Sequence, residues 1–432
     1  MIRSCLLLCL VLTLLVLPRP GRAEERAAAT GSPATGSWPQ WRGPNRDGIS
    51  PEAGLASQWR AGGPPRLWQA AGLGKGYSSL AVSGGKAFTM GRRGKREQLI
   101  ALDARDGSEL WAADVGQGRH CNSTPTIDGE FVYALGLAGD LICAEVETGR
   151  EVWRKNFAKD FGGSMMSGWG YSESPLIDGD RLICTPGGHA AMLVALDKRT
   201  GRTIWKAAMP KEVGSRGRNG AAYSSIVISR GAGVRQYVQL VGRGLIGVST
   251  EDGRVLWTYN NIANGTANVP TPIVRGDHVF ASTGYGTGAA LLKLVPTAGG
   301  VSAQEVYFLS AKTMQNHHGG MILLGDHIYC GHGHGQGFPL CIEMLSGKVA
   351  WRPGRGAGGK SAAVAYADGH LYFRYEDGVM ALIEATPEKY SLKGTFKVAS
   401  GDGPSWPHPV IAGGRLFLRD QGLLFCYDLS GR

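Results

Sequence analysis

Five of the ten histidines fall between positions 317 and 334: His317, His318, His327, His332 and His334. Imidazole changes charge near neutral pH and, when neutral, is a common ligand for transition metals. If Gly325-Asp326 forms a hairpin turn, antiparallel pairing sets His317 and His318 beside His332 and His334 and sends His327 to the opposite end. Glycines at 319, 320, 331, 333 and 335 permit close backbone approach in this stretch. His317, His318, His332 and His334 are therefore the candidate metal ligands, or the lining of an anionic-cofactor site, although no standard zinc spacing accompanies them. The competing reading is a solvated Gly-His loop. The chain has no Gly-x-Ser-x-Gly elbow, phosphate loop or His-Glu-x-x-His helix. Asp402 and Glu376 are single loop carboxylates expected to be solvated.

The elements that must position these side chains are set by an internal repeat. Leu99-Ile-Ala-Leu-Asp-Ala-Arg-Asp-Gly-Ser-Glu-Leu-Trp111 recurs in segments ending at Trp153, Trp205, Trp257 and Trp351, each with a glycine four residues earlier. Asp103, Glu145, Asp197, Ser249 or Glu343 stands four residues before that glycine and is able to cap turn amides. Two copies have decayed, at Tyr307 and around Ser391. A second signal, an alternating strand pair about a turn glycine, is found at Gly84, Gly129, Gly179, Gly231, Gly276, Gly325, Gly369 and Gly413, 44 to 52 residues apart. A unit of that length with four short strands is one propeller blade, and radial repetition limits exposed strand edges. The expected fold is all-β: an eight-bladed β-propeller of four-stranded antiparallel blades. Leu67-Trp68 reads as an outer strand without preceding partners, and the C-terminal run ends one strand short, so the N-terminal strand should close the last blade.

Residues 1–23 read as a signal peptide, with Arg3, an apolar run of 13 residues from Cys5 to Leu17, and a small-residue site at Gly21-Arg-Ala23. That run is too short to span a bilayer, and no other segment is a transmembrane candidate. Residues 24–37 have the composition of a disordered linker, 38–64 an N-terminal segment expected to pack against the outer blades, and 65–432 the propeller. The expected location is periplasmic or otherwise exported, with cleavage near Ala23. Loss of the leader lowers the formal charge from +11 to +8, and nothing concentrates that charge as a nucleic-acid partner would require. A monomer is expected. Six cysteines remain after the leader; Cys330 and Cys341 should lie nearly opposite one another and form a disulfide, whereas Cys143, Cys184 and Cys426 read as buried small hydrophobes. No Cys-x-x-Cys-His is present, which excludes covalent haem attachment.

Strands ending in Ala-Leu-Asp-x-x-x-Gly-x-x-x-Trp, clearest at Ala101–Trp111 and Ala195–Trp205, resemble the tryptophan-docking motif of the PQQ-like (quinoprotein-type) propeller family over residues 65–432. The resemblance implies that each Trp covers the neighbouring blade. It also implies one of two functions: a BamB-like binding or scaffold module of the cell envelope with a protein partner, or a dehydrogenase that uses PQQ and calcium to oxidise an alcohol or sugar at the channel mouth. The first is the favoured expectation. First-strand entrances converge on the axis, and they carry Tyr77-Ser-Ser79, His120-Cys-Asn-Ser123, Tyr171-Ser-Glu-Ser174, Asn219 to Ser224, Asn268-Val-Pro270, Asn316-His-His318, Lys360-Ser361 and Ser405-Trp-Pro-His408. From entrance position alone, Glu173 and Asn268 are the candidate oxygen ligands of calcium, Lys360 the cation beside a quinone, and Trp169 or Trp406 its stacking surface. His120, His317, His318 and His408 complete the candidate cofactor set. Two departures weaken the enzyme: no adjacent Cys-Cys pair is present, and the large insertions of the alcohol dehydrogenases are missing.

Overall fold

The computed structural model describes residues 36–399 and 403–431. The expected leader and all but the last two residues of the expected linker lie outside the described residues. Among the described residues no helix is long and apolar enough to cross a membrane.

Among the described residues thirty-two strands form eight four-stranded antiparallel sheets. The first blade runs from Ala81–Ser83 at the axis to Glu109–Gly116 at the rim, the second from Thr126–Asp128 to Glu151–Asn156, and the third from Leu176–Asp178 to Thr203–Ala207. The fourth spans Val227–Ser229 to Val255–Tyr259, the fifth Ile273–Arg275 to Gly300–Ser310, the sixth Met321–Leu324 to Val349–Trp351, and the seventh Ala362–Ala367 to Leu392–Lys397. In the eighth blade Arg66–Ala70 pairs with Leu423–Asp428, so the N-terminal strand closes the ring as expected. Both faces of each middle strand pack against neighbouring blades, which is why they read as unbroken apolar runs; Leu99-Ile-Ala-Leu102 is wholly buried.

Trp68, Trp111, Trp153 and Trp205 lie over Gly107, Gly149, Gly201 and Gly253 of the following blade, where an added Cβ would come within 2.5 to 2.8 Å of the indole. The Trp111 and Trp153 N–H groups donate to Val146 O and Lys198 O of that blade. Tyr307 performs the same task in a decayed repeat: it covers Gly347, and its hydroxyl donates to Met344 O at 2.5 Å. Trp257 differs. The outer hairpin of the fifth blade, Gly288–Thr297 with Gly300–Ser310, turns at Gly299-Gly300, where Gly300 meets Leu256 and Arg254 and no indole, and the Trp257 N–H turns back to Gln236 Oε1 of its own blade. Asp103 and Asp197 cap turn amides as expected, whereas Glu145 and Glu343, one methylene longer, accept from the hydroxyls of Thr148 and Ser346.

The expected disulfide is corrected. Cys341 pairs with Tyr329 and Cys330 with Leu340, a register offset of one residue. That offset places the two thiols on opposite faces of the sheet, in different core clusters, and both are free and buried.

The segment from Trp38 takes a different path from the expected one along the outer blades. Trp38 exchanges backbone bonds with Val82 of the first inner strand, Pro39 accepts from Ile127, Arg46 donates to Ser174 and Pro175 carbonyls, and Ser50 N–H donates to Tyr366 O. Glu52 accepts from the Gly413 and Gly414 amides. This strap thus crosses the axis on the inner strands. It then leaves between the seventh and eighth blades, where Trp59 packs on Phe396 and Tyr372.

Candidate functional site

Where the inner strands begin, the backbone amide of Ser79 donates to Thr124 Oγ1, Thr124 to Ser174 Oγ, Ser174 to Ser225 Oγ, and Ser225 to Thr271 Oγ1, at 3.0 to 3.4 Å. Ser79 Oγ closes toward the eighth blade on His408 O at 2.7 Å. Part of the polar channel ring is therefore blade-to-blade stitching. Arg419, fully buried, joins the eighth blade to Thr89 Oγ1 of the first at 2.6 Å.

Above this ring lies a cavity of about 460 Å³. Its walls come from entrance loops carrying Tyr77, His120, Asn122, Trp169, Tyr223, His317, His318, Trp406 and His408, joined by Tyr285 and His334 from loops inside the fifth and sixth blades. Trp41 and Arg42 of the strap also line it. Ring contacts run continuously: His120 to Tyr77 at 5.2 Å, Tyr77 to Trp406 at 4.4 Å, Trp406 to His318 at 5.1 Å, His318 to His317 at 4.3 Å and His317 to His334 at 4.2 Å between centroids. Trp41 packs on His408 at 4.5 Å and donates its N–H to Thr271 Oγ1. A second cavity of about 440 Å³ at the hairpin-turn end, lined by Gln40, Asp128, Asp180 and Lys198, shares none of these residues.

Burial makes the imidazoles poor bases. His120 is lowered to about 4 by desolvation and the nearby Arg119, and His317 to about 4 by desolvation and His334. His408 is lowered to about 3 by desolvation and Arg42. His318 is held well below its ordinary value by burial and then by its histidine neighbours. These imidazoles are neutral at pH 7. Arg42 is lowered to about 10 by burial, partly offset by the Asp47 carboxylate, and stays a cation. Its Nη2 donates to Asp47 O at 2.8 Å and to Met321 O, while Nη1 has no partner. Both His318 nitrogens, His408 Nδ1 and Trp406 Nε1 are likewise buried without partners.

Of the residues nominated from sequence, His120, His317, His318, His334 and His408 meet at this cavity, and four others do not line it. His332 lies on the same face of its strand as Ile328 and Cys330, and its Nδ1 accepts from Gln315 N–H at 3.2 Å. His317 already uses both ring nitrogens, toward Ser361 Oγ at 2.9 Å and Tyr285 OH at 3.2 Å. Among the described residues no three His, Cys, Asp or Glu side chains are gathered to hold a metal ion. Glu173 is buried, accepts from Thr185 N–H and Gln239 Nε2, and is raised to about 7 by desolvation. Asn268 spans Asn264 N and the Val241 and Gly242 carbonyls. Lys360 lies exposed, 3.8 Å from Glu376. Calcium with a quinone would require oxygen donors at the cavity, and neither Glu173 nor Asn268, nominated for that role, lines it. Trp41, Arg42 and Tyr285 were not foreseen as site residues. The Trp-Arg pair at 41–42 was a visible signal, but only the strap's path shows where it arrives.

The sequence profile described as "Outer membrane protein assembly factor BamB" matches residues 56–136 and 95–353, well over half of the chain. The chain belongs to this family. BamB of Burkholderia pseudomallei is 25% identical over 168 residues, 37% of this chain and 35% of the relative. BamB of Kangiella koreensis is 25% identical over 231 residues, 49% of each. The chain thus spans about a third to a half of the length of these BamB relatives. Among solved structures, the quinohemoprotein alcohol dehydrogenase ADHIIG of Pseudomonas putida HK5 superposes with a TM-score of 0.63 at 14% identity, covering 92% of this chain and 81% of that one. The quinohemoprotein alcohol dehydrogenase of Comamonas testosteroni gives 0.61 at 12%, with the same coverage. Those two likenesses are of fold, and the chain is a BamB-like β-propeller.

Proposed function

We propose that this protein is an exported, non-enzymatic binding propeller of the cell envelope that acts on a protein partner, in the manner the name of its BamB relatives describes for them. The observation that supports this reading is the composition of the axial cavity: aromatic rings and neutral imidazoles line it, while no carboxylate or lysine does. A quinone dehydrogenase needs a base for the substrate hydroxyl proton and a cation at the quinone oxygens. Glu173 is hydrogen-bonded outside the cavity, so no carboxylate base is in place there, although Arg42 supplies a cation.

The test is deletion of the gene in its host with quantification of outer-membrane proteins. The expected result is a fall in their abundance that the wild-type gene restores. Unchanged outer-membrane proteins, or alcohol-dependent dye reduction by purified protein given PQQ and calcium, would overturn the reading. Amino-terminal sequencing of the exported protein should begin near Glu24.

A further inference from the structure

We propose that the entrance end of the propeller, where the inner strands begin, is a contact surface for an anionic phospholipid bilayer. Along the sequence no stretch concentrates charge; the fold does. The connections from one blade to the next, and those between the second and third strands of a blade, all emerge at this end. Among the described residues these connections carry twelve Lys and Arg against five Asp and Glu, and one of the five, Glu173, is buried. The turns at the opposite end carry ten of each sign. The positive excess of the connecting segments therefore sits at one end only.

The two ends also differ in how their cations are used. At the turn end Arg105, Arg150, Lys198, Arg235 and Arg254 are each ion-paired to a carboxylate. At the entrance end Lys360, 3.8 Å from Glu376, is the one cation of these connections in an ion pair among the described residues. Lys211, Arg216 and Arg218 lie exposed on the connection from the third blade to the fourth. Arg216 and Arg218 fix that loop through their backbone N–H groups, which donate to Asn260 Oδ1 and Gly242 O, and neither guanidinium makes a hydrogen bond among the described residues. On the preceding connection stands Trp169, 47% exposed. These features suit a plane of negative charge. The cations come from six of the eight blade-to-blade connections and ring the end face instead of following one groove, so a flat partner meets many of them at once and an extended acidic chain meets few. Long Lys and Arg side chains reach lipid phosphates while their stems stay on the protein, clusters of about four to eight of them suit anionic lipid, and an indole favours the headgroup level of a bilayer. This inference does not rest on the protein-partner reading, and either can fail alone.

The experiment is co-sedimentation of the purified protein with vesicles of phosphatidylcholine alone or containing about 30% phosphatidylglycerol, at about 0.05 M and about 0.5 M NaCl. The expected result is binding about a hundredfold tighter to the anionic vesicles at low salt, with the preference lost at high salt. The triple variant Lys211→Ser, Arg216→Ser, Arg218→Ser should weaken anionic-vesicle binding about tenfold or more. The triple variant Arg202→Ser, Arg230→Ser, Lys389→Ser removes the same charge from the turn end and should leave binding within about twofold of wild type. Trp169→Ser should weaken binding to both vesicle types about threefold. Equal binding of the wild type to the two vesicle types, equal losses in the two triple variants, or binding to polyglutamate with none to vesicles would overturn the proposal, the last in favour of an acidic partner chain. Should the entrance-end triple variant fail to fold, Lys312→Ser with Arg355→Ser, on connections between other blades, makes the same comparison with the turn end.

Discussion

At the residue scale, the histidines at the cavity govern stability through protonation. His120 and His317 are lowered to about 4 and His408 to about 3, so the unfolded chain, with imidazoles near 6.5, takes up protons before the folded one does. Stability from these groups is therefore complete above about pH 6.5 and is lost as pH falls toward 4. Glu173, raised to about 7, has the opposite sign, because its carboxyl binds a proton more tightly in the folded state between about 4.5 and 7. Asp47 and Glu97 are raised by burial as Glu173 is, but with His318 and His332 also lowered five imidazoles outweigh three carboxyls, and thermal melts should show a lower Tm at pH 5 than at pH 7.5. His408→Gln should flatten that dependence, and a Tm that rises on acidification would contradict the assignment. The histidine sector was legible in the sequence because five imidazoles in one short stretch stand out. That His332 faces away was not, since it depends on the parity of one strand, and the inferred hairpin left that parity open.

At the element scale, the unit of construction is the indole over a glycine turn. Gly149 has φ +72°, and an added Cβ would lie 2.5 Å from Trp111 Cε3; Gly129 has φ +58° with open space around it. Alanine at Gly129 therefore reports backbone strain alone, about 1 kcal/mol, whereas alanine at Gly149 adds displacement of the indole, for a total of about 2–4 kcal/mol. Denaturant titration of both variants checks the difference, and equal losses would mean that the indole yields freely. These pairs were readable before any coordinates because donor strand, turn and indole recur at fixed spacing and each piece is local. Trp257 escaped the same rule because its partner turn, 40 residues downstream, was rebuilt as the long hairpin Gly288–Thr297 with Gly300–Ser310. The Cys330–Cys341 pairing failed for a related reason: opposition across a ladder is a matter of single-residue register, and a loop of glycines does not announce it.

At the scale of the whole molecule, closure has two parts. Strand Arg66–Ala70 completes the eighth blade, and the strap from Trp38 to Glu52 ties inner strands together across the axis. Removal of residues 36–54 should lower the Tm by more than 10 °C, on the order of several buried contacts including Trp38. A truncated protein with unchanged melting would show the strap to be passive. The strap also orders events in time. Trp38, Arg42 and Arg46 precede Tyr366 and Gly413, to which the same strap is bound, by more than 300 residues in the chain. The strap is thus among the last segments that can settle, and it must remain unpaired while the blades accumulate. Refolding should accordingly show a fast phase of blade formation followed by a slow, concentration-independent phase that buries Trp38 and Trp41, and only the second phase yields a cavity with a floor.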